Sequence, residues 1–399
     1  MIIKSKIEHL SIKTQLGLLK IAERTGEHLG DVLNKHGYTY DDLIYVDSKS
    51  KKWDGRPPLD LAQFTKPSAH IPVVSFFSGA GGLDLGFEAA GFQHLAAFEH
   101  NEIFCKTLRK NRPEWNVFGP PYHHGDMSNI ESISESLSQI ITSPFEGVFI
   151  GGPPCQPFSI ASNQRFSKSG DNFKRVGFSH EKMGNLLFSY VEVIKAFRPY
   201  VFLIENVPGL RDIDDGEQLR IALDDLVGNG YKIEEPTVLN AAMFGVPQFR
   251  NRIFIIGSRS GNKFSFPEQQ HDKVGVYSVL HNIGDKIANT EVREHKFESI
   301  VRYINLSYGQ RDQLGRVDRL DPTLPSKTVI AGGMSGGGRS HLHPEIPRTM
   351  SVRECARVQT FPDDYIFYGP IARQFTQVGN AVPPVLAAQI AERINNFFF

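Results

Sequence analysis

The chain has 399 residues, more than one compact domain usually holds, so we expect two lobes. Its 40% hydrophobic and 22% charged residues are typical of a globular protein, and no run approaches the roughly 18 apolar residues of a membrane helix. The 44 basic and 44 acidic residues cancel, so composition alone neither indicates nor excludes a nucleic-acid partner.

The first 70 residues show helical periodicity around Leu16 to Leu33, followed by a polar stretch from Asp47 to Pro58 that is typical of a linker. Charged and apolar residues interleave from Met1 to Thr25, whereas a secretion signal has a basic end followed by an apolar block. We therefore expect a cytoplasmic protein with an N-terminal extension, residues 1–70, whose role the sequence leaves open.

Short β-rich runs alternate with helical runs between Ile71 and Gly257, a pattern that predicts a parallel, doubly wound sheet. The predicted strands are Val73 to Phe77, His94 to Glu99, Gly147 to Ile150, Val201 to Glu205 and Arg252 to Ile256. From about Ser260 to Arg348 the sequence becomes polar and glycine-rich, with scattered basic residues, which indicates a separate, loop-rich lobe. An amphipathic run, Pro383 to Phe397, predicts a final helix on the first lobe.

A glycine-rich turn, Ser78-Gly79-Ala80-Gly81-Gly82, follows the first predicted strand. Small residues there let the backbone approach a nucleotide-like ligand at the start of the next helix. Asp84 stands where a strict dinucleotide fingerprint needs glycine, which argues against NAD. Glu99 ends the next strand, at about the distance downstream where an acidic residue commonly holds ribose hydroxyls. The pattern indicates a cofactor site at this edge of the sheet.

The three cysteines lie far apart, so neither a disulfide framework nor a zinc site is indicated. Cys155 follows a predicted strand in Gly151-Gly152-Pro153-Pro154-Cys155-Gln156, at the edge where α/β sites form. This segment is too rigid and polar for ordinary core. We interpret Cys155 as a nucleophile, and Cys105 and Cys355 as packing residues.

A carboxyl group is expected at the same sheet edge as Cys155, and two guanidinium groups are expected at the start of a further strand. Glu205 ends the adjacent strand, where burial would raise its pKa and let it donate a proton. Arg250 and Arg252 enter another strand, and strand alternation points both side chains to the same face. Taken alone, Glu205 would also fit a solvated strand end, and the arginines a surface charge pair.

These segments together resemble the cytosine carbon-5 DNA methyltransferase family from Ile71 to the C-terminus. The matching pieces, in order, are Phe77 to Gly82, Glu99, Gly125-Asp126, Pro153 to Gln156, Glu205 to Val207, Gln248 to Arg252, Arg353 to Gln359 and Gln377 to Asn380. The resemblance implies an α/β fold, a doubly wound Rossmann-like class I methyltransferase sheet with a smaller loop-rich target-recognition domain. The implied divisions are the extension (1–70), an S-adenosylmethionine-binding catalytic domain (71–258), the target-recognition domain (259–350) and a return segment completing the catalytic domain (351–399).

The resemblance also implies roles for single residues. The implied catalytic residues are Cys155, Glu205, Arg250 and Arg252, with Cys155 forming a covalent adduct with a flipped-out cytosine. The implied S-adenosylmethionine pocket contains Phe77, Gly79, Gly81, Gly82, Glu99, Asp126, Pro154, Leu186 and Asn380, with Asp126 near the adenine. The implied partner is double-stranded DNA. A restriction endonuclease would be a genetic partner without a stable complex, and we expect a monomer.

Parts of the chain depart from the family or remain open. The loop from Cys155 to Leu186 is longer than in many members, and Lys182-Met183 precedes Gly184 where an arginine is usual. Thr328-Val329 resembles the Thr-Leu pair of family recognition lobes, which would place base-reading loops around residues 260–345. The segment Arg353 to Gln359 looks like a structural helix that orders this lobe.

Two alternatives stand beside the preferred function, the modification enzyme of a restriction-modification system. A transfer-RNA cytosine-5 methyltransferase of the same fold shares most motifs, but its usual Cys-Phe-Thr signature is not found here. Ile21 to Leu33 weakly resembles a helix-turn-helix, so the extension could be an added DNA-binding regulator, although we favour a packing role. Every motif follows Ile71, so we expect the chemistry not to need the extension.

Overall fold

The largest element is an eight-stranded sheet. The computed structural model describes residues 10–47, 57–64, 71–154, 186–270, 272–284, 286–331 and 341–399. The strands of this sheet are β1 Pro72–Phe76, β2 Gln93–Phe98, β3 Val117–Phe118, β4 Val148–Gly151, β5 Val201–Asn206, β6 Lys232–Ile233, β7 Thr237–Asn240 and β8 Asn251–Ser258. Their order is β3-β2-β1-β4-β5-β8-β6, and β7 also pairs with β8.

Strands β1 to β5 run parallel, and β8 runs antiparallel to β5. From β1 the chain first builds outward through β2 and β3 and then returns to add β4 and β5 on the other side. Ligands of open α/β sheets bind at the carboxyl ends of the strands at such a reversal. The predicted doubly wound sheet is confirmed, but the strand predicted from Arg252 to Ile256 lies in β8 and runs antiparallel, so the sheet is not parallel throughout. The sequence pattern also missed β3, β6 and β7, which have two to four residues each.

Helices cover both faces of the sheet because successive strand residues alternate between its faces. Val74 and Phe76 pack on one face with Leu187 of the helix after the Cys155 loop, while Val73 packs on the other with Leu386 near the C-terminus. The helices are Ile12–Thr25, Leu29–Lys35, Gly82–Ala89, Glu102–Asn111, Ile130–Ser138, Leu186–Phe197, Glu217–Gly228, Tyr277–Leu280, Phe297–Tyr303, Val352–Val358, Ile371–Asn380 and Pro384–Phe398. Within the described ranges, none of them is both long and apolar enough to cross a membrane.

The last helix, Pro384–Phe398, returns to the sheet as predicted and packs against Gly82–Ala89. A side chain at Gly86 would collide with Ala387 and lie 2.6 Å from the backbone nitrogen of Ala388. Glycine at this position therefore lets the two helices approach closely. The helix that carries the cofactor loop is held in place by the end of the chain.

The small lobe is built around a three-stranded sheet of β9 Arg311–Asp312, β10 Val317–Arg319 and β11 His341–Leu342. The strand order is β11-β10-β9. The scattered arginines of this lobe do not all face solvent, because Arg319 is 2% exposed and Arg302 forms a 3.1 Å ion pair with Asp312. Some of the basic residues counted in the sequence therefore stabilise the lobe itself.

The described residues before Ile71 pack against both lobes. Leu18, Leu19 and Leu33 pack with Ile300 and Val317 in one apolar cluster of the small lobe. Farther along, Leu59 and Leu61 pack against the catalytic sheet's core. Most of the stretch from Asp47 to Pro58 that we interpret as a linker lies outside the described residues.

Candidate active site

The predicted cofactor loop begins where β1 ends. Phe77, Gly79 and Gly81 have φ values of 55°, 57° and 76°, so the backbone is left-handed at three points within five residues. Glycine adopts this conformation without steric cost, which explains the glycines at positions 79 and 81. Gly82 has a different reason, because an added Cβ would collide with the carbonyl oxygen of Val382. The loop thus turns sharply before the helix Gly82–Ala89, with its backbone pressed against the returning chain.

Glu99 lies directly beside this loop, at the end of β2, and is 5% exposed. Its Oε2 accepts a 2.8 Å hydrogen bond from the amide of Gly79, and its Oε1 accepts a 2.7 Å bond from the amide of Asn101. The imidazole of His100 lies 3.3 Å from Oε1, and the hydrogen bond to Glu99 raises the pKa of His100. The structure therefore joins the two predicted cofactor elements, the glycine loop and the acidic strand end.

Asp126 follows β3 at the same edge, in a tight turn in which Gly125 has a φ of 62°. A side chain at Gly125 would collide with the carbonyl oxygen of Glu99, which brings the two acidic residues close in space. Burial would raise the pKa of Asp126, but hydrogen bonds from Ser128 and the nearby imidazoles outweigh it and lower the pKa. Asp126 is exposed and carries a negative charge at neutral pH.

The remaining predicted pocket residues lie on surrounding elements. Leu186 begins the helix Leu186–Phe197 and packs, like Phe77, against the core of one sheet face. Asn380 ends the helix Ile371–Asn380, and the next residue, Ala381, faces Gly82. Pro154 follows β4 and is exposed. All of these positions surround the carboxyl edge of β1, β2 and β4.

The segment leading to Cys155 is fixed against Glu205. Strand β4 pairs with β5 so that Gly151 lies opposite Ile204, one residue before Glu205. An added Cβ at Gly152 would lie 2.9 Å from Oε2 of Glu205, and the side chain of Asn206 donates a 3.2 Å hydrogen bond to the carbonyl of Pro153. Cys155 itself, and the long loop after it, lie outside the described residues.

Glu205 is buried with two arginines. Its Oε1 lies 2.9 Å from Nε of Arg252, and the residue is 8% exposed. Burial raises the pKa of Glu205, and Arg252 and Arg250 offset part of this rise. The structure therefore contradicts the reading of Glu205 as a solvated strand end and of the arginines as a surface pair.

Arg250 joins the catalytic lobe to the rest of the chain. It is 1% exposed and donates hydrogen bonds of 3.3 Å to the carbonyl of Val329 and 2.9 Å to that of Gly379. Within the described residues its Nε has no hydrogen-bond partner. A buried donor in that state is a candidate to hold a substrate oxygen.

A buried glutamine network supports this arginine, and the sequence analysis did not identify it as part of the site. Gln248 donates a 2.7 Å hydrogen bond to Gln359 and accepts a 2.8 Å bond from the amide of Val329. Thr328 donates a 2.7 Å bond to the carbonyl of Phe249. The pair Thr328-Val329 thus lies at the joint between the lobes. Gln248 and Gln359 each stand at one end of a matching motif, and that position is the signal that the sequence offered.

The other two cysteines are packing residues, as predicted. Cys105 and Cys355 are both buried. Burial raises the pKa of Cys105 to about 12, and it raises the pKa of Cys355 as well. The helix Val352–Val358 is likewise structural, because its fully buried Arg353 donates to the carbonyls of Ala288, Pro362 and Tyr365.

Comparisons with known proteins agree with this arrangement. Type II methyltransferase M.PspPI of Psychrobacter sp. is 31% identical, and the match covers 91% of this chain and 87% of that protein. Type II methyltransferase M1.HphI of Haemophilus parahaemolyticus is 34% identical, and the match covers 81% of this chain and 86% of that protein. Type II methyltransferase M.Eco47II of Escherichia coli is 28% identical and covers 95% of this chain, a share that cannot fit within residues 71–399. The match therefore extends into the first 70 residues.

The fold is shared with solved structures. A prophage-encoded protein of E. coli, described as a DNA modification methyltransferase, superimposes with a TM-score of 0.67 at 26% identity, covering 82% of this chain and 99% of the other. The family model for C-5 cytosine-specific DNA methylase matches residues 71–396, which contain the cofactor loop, Glu205 and both arginines. The chain belongs to the C-5 cytosine-specific DNA methylase family and is a DNA (cytosine-5)-methyltransferase.

Proposed function

We propose that this enzyme methylates carbon 5 of a flipped-out cytosine in a specific double-stranded DNA sequence, through a covalent adduct with Cys155. The observation that carries the proposal is the buried Glu205 carboxyl group, held by Arg252 beside the segment that leads to Cys155. The relatives named as Type II methyltransferases support a role as the modification enzyme of a restriction-modification system. Its endonuclease would be a separate protein that shares the DNA site without a stable complex, and the methyltransferase would act as a monomer.

The residues at the sheet edge fit S-adenosylmethionine. Oε1 of Glu99 interacts with the amide of Asn101 and the imidazole of His100, whereas Oε2 accepts one described hydrogen bond, from Gly79. Oε2 therefore has a lone pair left for a ribose hydroxyl group. Asp126 would accept a hydrogen bond at the adenine end, and Phe77 and Leu186 would supply apolar contacts beside the turns at Gly79 and Gly81. When bound, this cofactor supplies the methyl group that carbon 5 of the cytosine receives.

Cys155 would begin the reaction on the cytosine. Carbon 5 is a poor nucleophile, and addition of the Cys155 thiolate to carbon 6 makes it electron-rich, which divides one hard step into easier ones. A free thiol has a pKa of about 8.5, so positive charge near the sulfur must stabilise the thiolate. The guanidinium of Arg252, beside Glu205, is a candidate for this role.

Glu205 and Arg250 would stabilise the charge that forms during this addition. The protonated Glu205 carboxyl group would donate its proton to ring nitrogen 3, and Arg250 would hold the carbonyl oxygen of the base. After carbon 5 has received the methyl group, it loses its proton to a base or to water. The sulfur then leaves carbon 6, and nitrogen 3 returns its proton to Glu205.

This chemistry requires the cytosine to leave the duplex, because neither face of a stacked base can be reached by Cys155. Flipping costs a few kcal/mol, which contacts with the pocket and the DNA backbone offset. Thr328 and Val329 join the small lobe to the catalytic lobe through hydrogen bonds to Phe249 and Gln248. From this position the small lobe would hold the DNA opposite the catalytic lobe.

A trapping experiment tests the covalent step. Duplex DNA that contains 5-fluorocytosine at the target should accept one methyl group and then remain attached, because fluorine cannot leave as the carbon-5 proton does. We expect a denaturant-resistant complex that forms only with S-adenosylmethionine and whose peptide contains Cys155.

Three variants complete the test. Cys155→Ala should abolish the complex, whereas Cys105→Ala and Cys355→Ala, matched controls that change buried thiols elsewhere, should still form it. A Cys155→Ala enzyme that methylates DNA, or a trapped peptide with another cysteine, would contradict the mechanism. Methylation of transfer RNA in place of DNA would favour the other substrate class.

A further inference from the structure

The N-terminal residues 10–47 form one side of the small lobe. The helices Ile12–Thr25 and Leu29–Lys35 bury their apolar faces in a cluster that includes Val317 of β10 and Leu342 of β11. The backbone continues this contact, because the amide of Val46 donates a 2.8 Å hydrogen bond to the carbonyl of Ile304. The small sheet is therefore supported by a segment more than 250 residues away in sequence.

The centre of this contact is a stack of two tyrosines on Arg319. The guanidinium carbon of Arg319 lies 3.5 Å from the ring centroid of Tyr45 and 3.9 Å from that of Tyr308. Arg319 also donates hydrogen bonds of 2.6 and 2.9 Å to the carbonyls of Leu306 and Pro344. A cation that is desolvated between aromatic faces is held strongly in one place.

Tyr45 is itself fixed by the lobe that it supports. Its hydroxyl donates a 2.8 Å hydrogen bond to the carbonyl of His343. A second bond from the same segment, a 2.6 Å ion pair, joins Asp41 to the buried Arg348. Arg348 in turn binds Glu354, whose side chain caps the structural helix Val352–Val358.

Arg319 ends a hairpin whose strands are largely buried and whose tip is exposed. The amide of Gly309 donates a 2.8 Å bond to the carbonyl of Arg319, and the amide of Arg319 donates a 2.9 Å bond to Gln310. At the tip, Gln313 and Arg316 are exposed, and Leu314 between them is 77% exposed. An amide, a guanidinium and an apolar side chain together suit contact with base edges and phosphates.

The helix-turn-helix reading of the extension finds no support in these contacts. In the helix Leu29–Lys35 the cation Lys35 is paired with Glu27 at 2.6 Å, and the exposed side also carries Asp31. A helix that enters a DNA groove needs free cations for phosphates. The apolar side of this helix packs against the small lobe and is therefore not free to contact DNA.

We propose that residues 10–47 are the scaffold of the hairpin 309–319 and that Tyr45 is a positioning residue for DNA binding. Tyr45 acts through Arg319, which it holds at the base of the hairpin, so that the exposed tip meets the duplex in one orientation. The inference rests on the proposed methylation of duplex DNA.

The test compares Tyr45→Ala with Tyr45→Phe in the full chain, using long unmethylated duplex DNA and labelled S-adenosylmethionine. We expect Tyr45→Ala to raise KM for DNA by about tenfold or more, with kcat and the dissociation constant of S-adenosylmethionine within about twofold of wild type. Tyr45→Phe keeps the ring on Arg319 and should restore KM. Leu16→Ala, a change on the exposed side of the same extension, is the matched control and should leave KM unchanged.

Amide hydrogen exchange tests the positioning separately from the DNA. The amides of Gly309 and Arg319 should lose protection in Tyr45→Ala and keep it in Tyr45→Phe. Unchanged protection, or lost protection with an unchanged KM for DNA, would overturn the proposal. If Tyr45→Ala does not fold, Tyr45→Leu replaces it with the same expectations. A wild-type enzyme that methylates no duplex DNA would refute the proposed function, while exchange would still decide whether Tyr45 holds the hairpin.

Discussion

At the scale of single residues, the environment of Glu205 matters most for the chemistry. Two effects act on its carboxyl group in opposite directions, because burial favours the neutral acid and Arg252 favours the carboxylate. Burial is the larger effect, so the pKa is raised. A carboxylic acid with a raised pKa can give a proton to a weakly basic ring nitrogen and take it back in each turnover.

This balance predicts a pH dependence. Because protonated Glu205 is the reactive form, kcat should fall as the pH rises through the pKa of Glu205 in the enzyme-substrate complex. Glu205→Gln should lower kcat by roughly 10²- to 10⁴-fold and remove this dependence, because the amide fills the same space without a transferable proton. Single-turnover rates between pH 5 and pH 9 provide the measurement.

Binding of S-adenosylmethionine serves as the control for Glu205→Gln. Glu205 does not contact the described cofactor loop, so the dissociation constant of S-adenosylmethionine should stay within about twofold of wild type. A Glu205→Gln enzyme that keeps the wild-type rate at every pH would show that the proton comes from another group.

At the scale of elements, the close contact between Gly82–Ala89 and Pro384–Phe398 fixes the cofactor loop. The loop enters the first helix directly, and the second helix occupies the space that a side chain at Gly86 would need. Ala381 and Val382, just before the second helix, occupy the space that a side chain at Gly82 would need. Interiors with native packing density do not absorb an added methyl group without displacement. The C-terminal segment therefore acts on the cofactor site through packing.

We predict that Gly86→Ala lowers the free energy of unfolding by about 1–3 kcal/mol and weakens cofactor binding, because the helices must separate. Gly17→Ala is the matched control, since Gly17 also lies within a helix but has nothing within 4 Å of an added Cβ. That variant should be neutral or up to about 1 kcal/mol more stable. Urea denaturation and calorimetric titration measure both effects, and equal results for the two variants would disprove the packing argument.

At the scale of the whole molecule, buried polar groups join segments that are distant in sequence. Arg250 connects the catalytic sheet with Val329 and Gly379, and Gln248 connects it with Gln359. His343 is a buried polar group of the small lobe that stabilises a local turn, because its Nδ1 accepts bonds from the amides of Glu345 and Ile346. Protonation of that nitrogen would break both bonds.

This arrangement predicts that the fold loses stability in mild acid. Burial lowers the pKa of His343 to about 4, below the value of about 6.5 in an unfolded chain. Between these two pKa values the unfolded chain binds more protons than the folded chain, so the free energy of unfolding decreases as the pH is lowered. This group alone should lower it by about 2 kcal/mol from pH 7 to pH 5. Urea midpoints measured at the two pH values test this.

His343→Gln should reduce the difference between the two midpoints, because glutamine keeps an acceptor but does not titrate in this range. A lower urea midpoint of this variant at pH 7 does not affect the test, because the compared quantity is the difference between the midpoints at pH 7 and pH 5. His28→Gln replaces an exposed histidine and should keep the wild-type change. An unaltered pH dependence in His343→Gln would assign the acid sensitivity to other groups.

The local pattern of the sequence determined the parallel sheet, the glycine turn and the strand-end positions of Glu99 and Glu205. These features depend on residues that are neighbours in the chain, because periodicity and turn chemistry reflect local backbone geometry. The ordered motifs were also sufficient to identify the family. Cys155 stays a prediction from its motif and its place after β4, since the structure describes the chain only up to Pro154 on that side.

Only the tertiary structure decided which of the charged side chains face each other. No local pattern distinguishes Arg252 beside Glu205 from a surface arginine, or Arg319 between two tyrosines from one that reaches a base. The same holds for the extension, whose helical periodicity shows an apolar face but not the small lobe that covers it. Such contacts join residues from about 50 to more than 250 positions apart, and the whole fold must form before they exist.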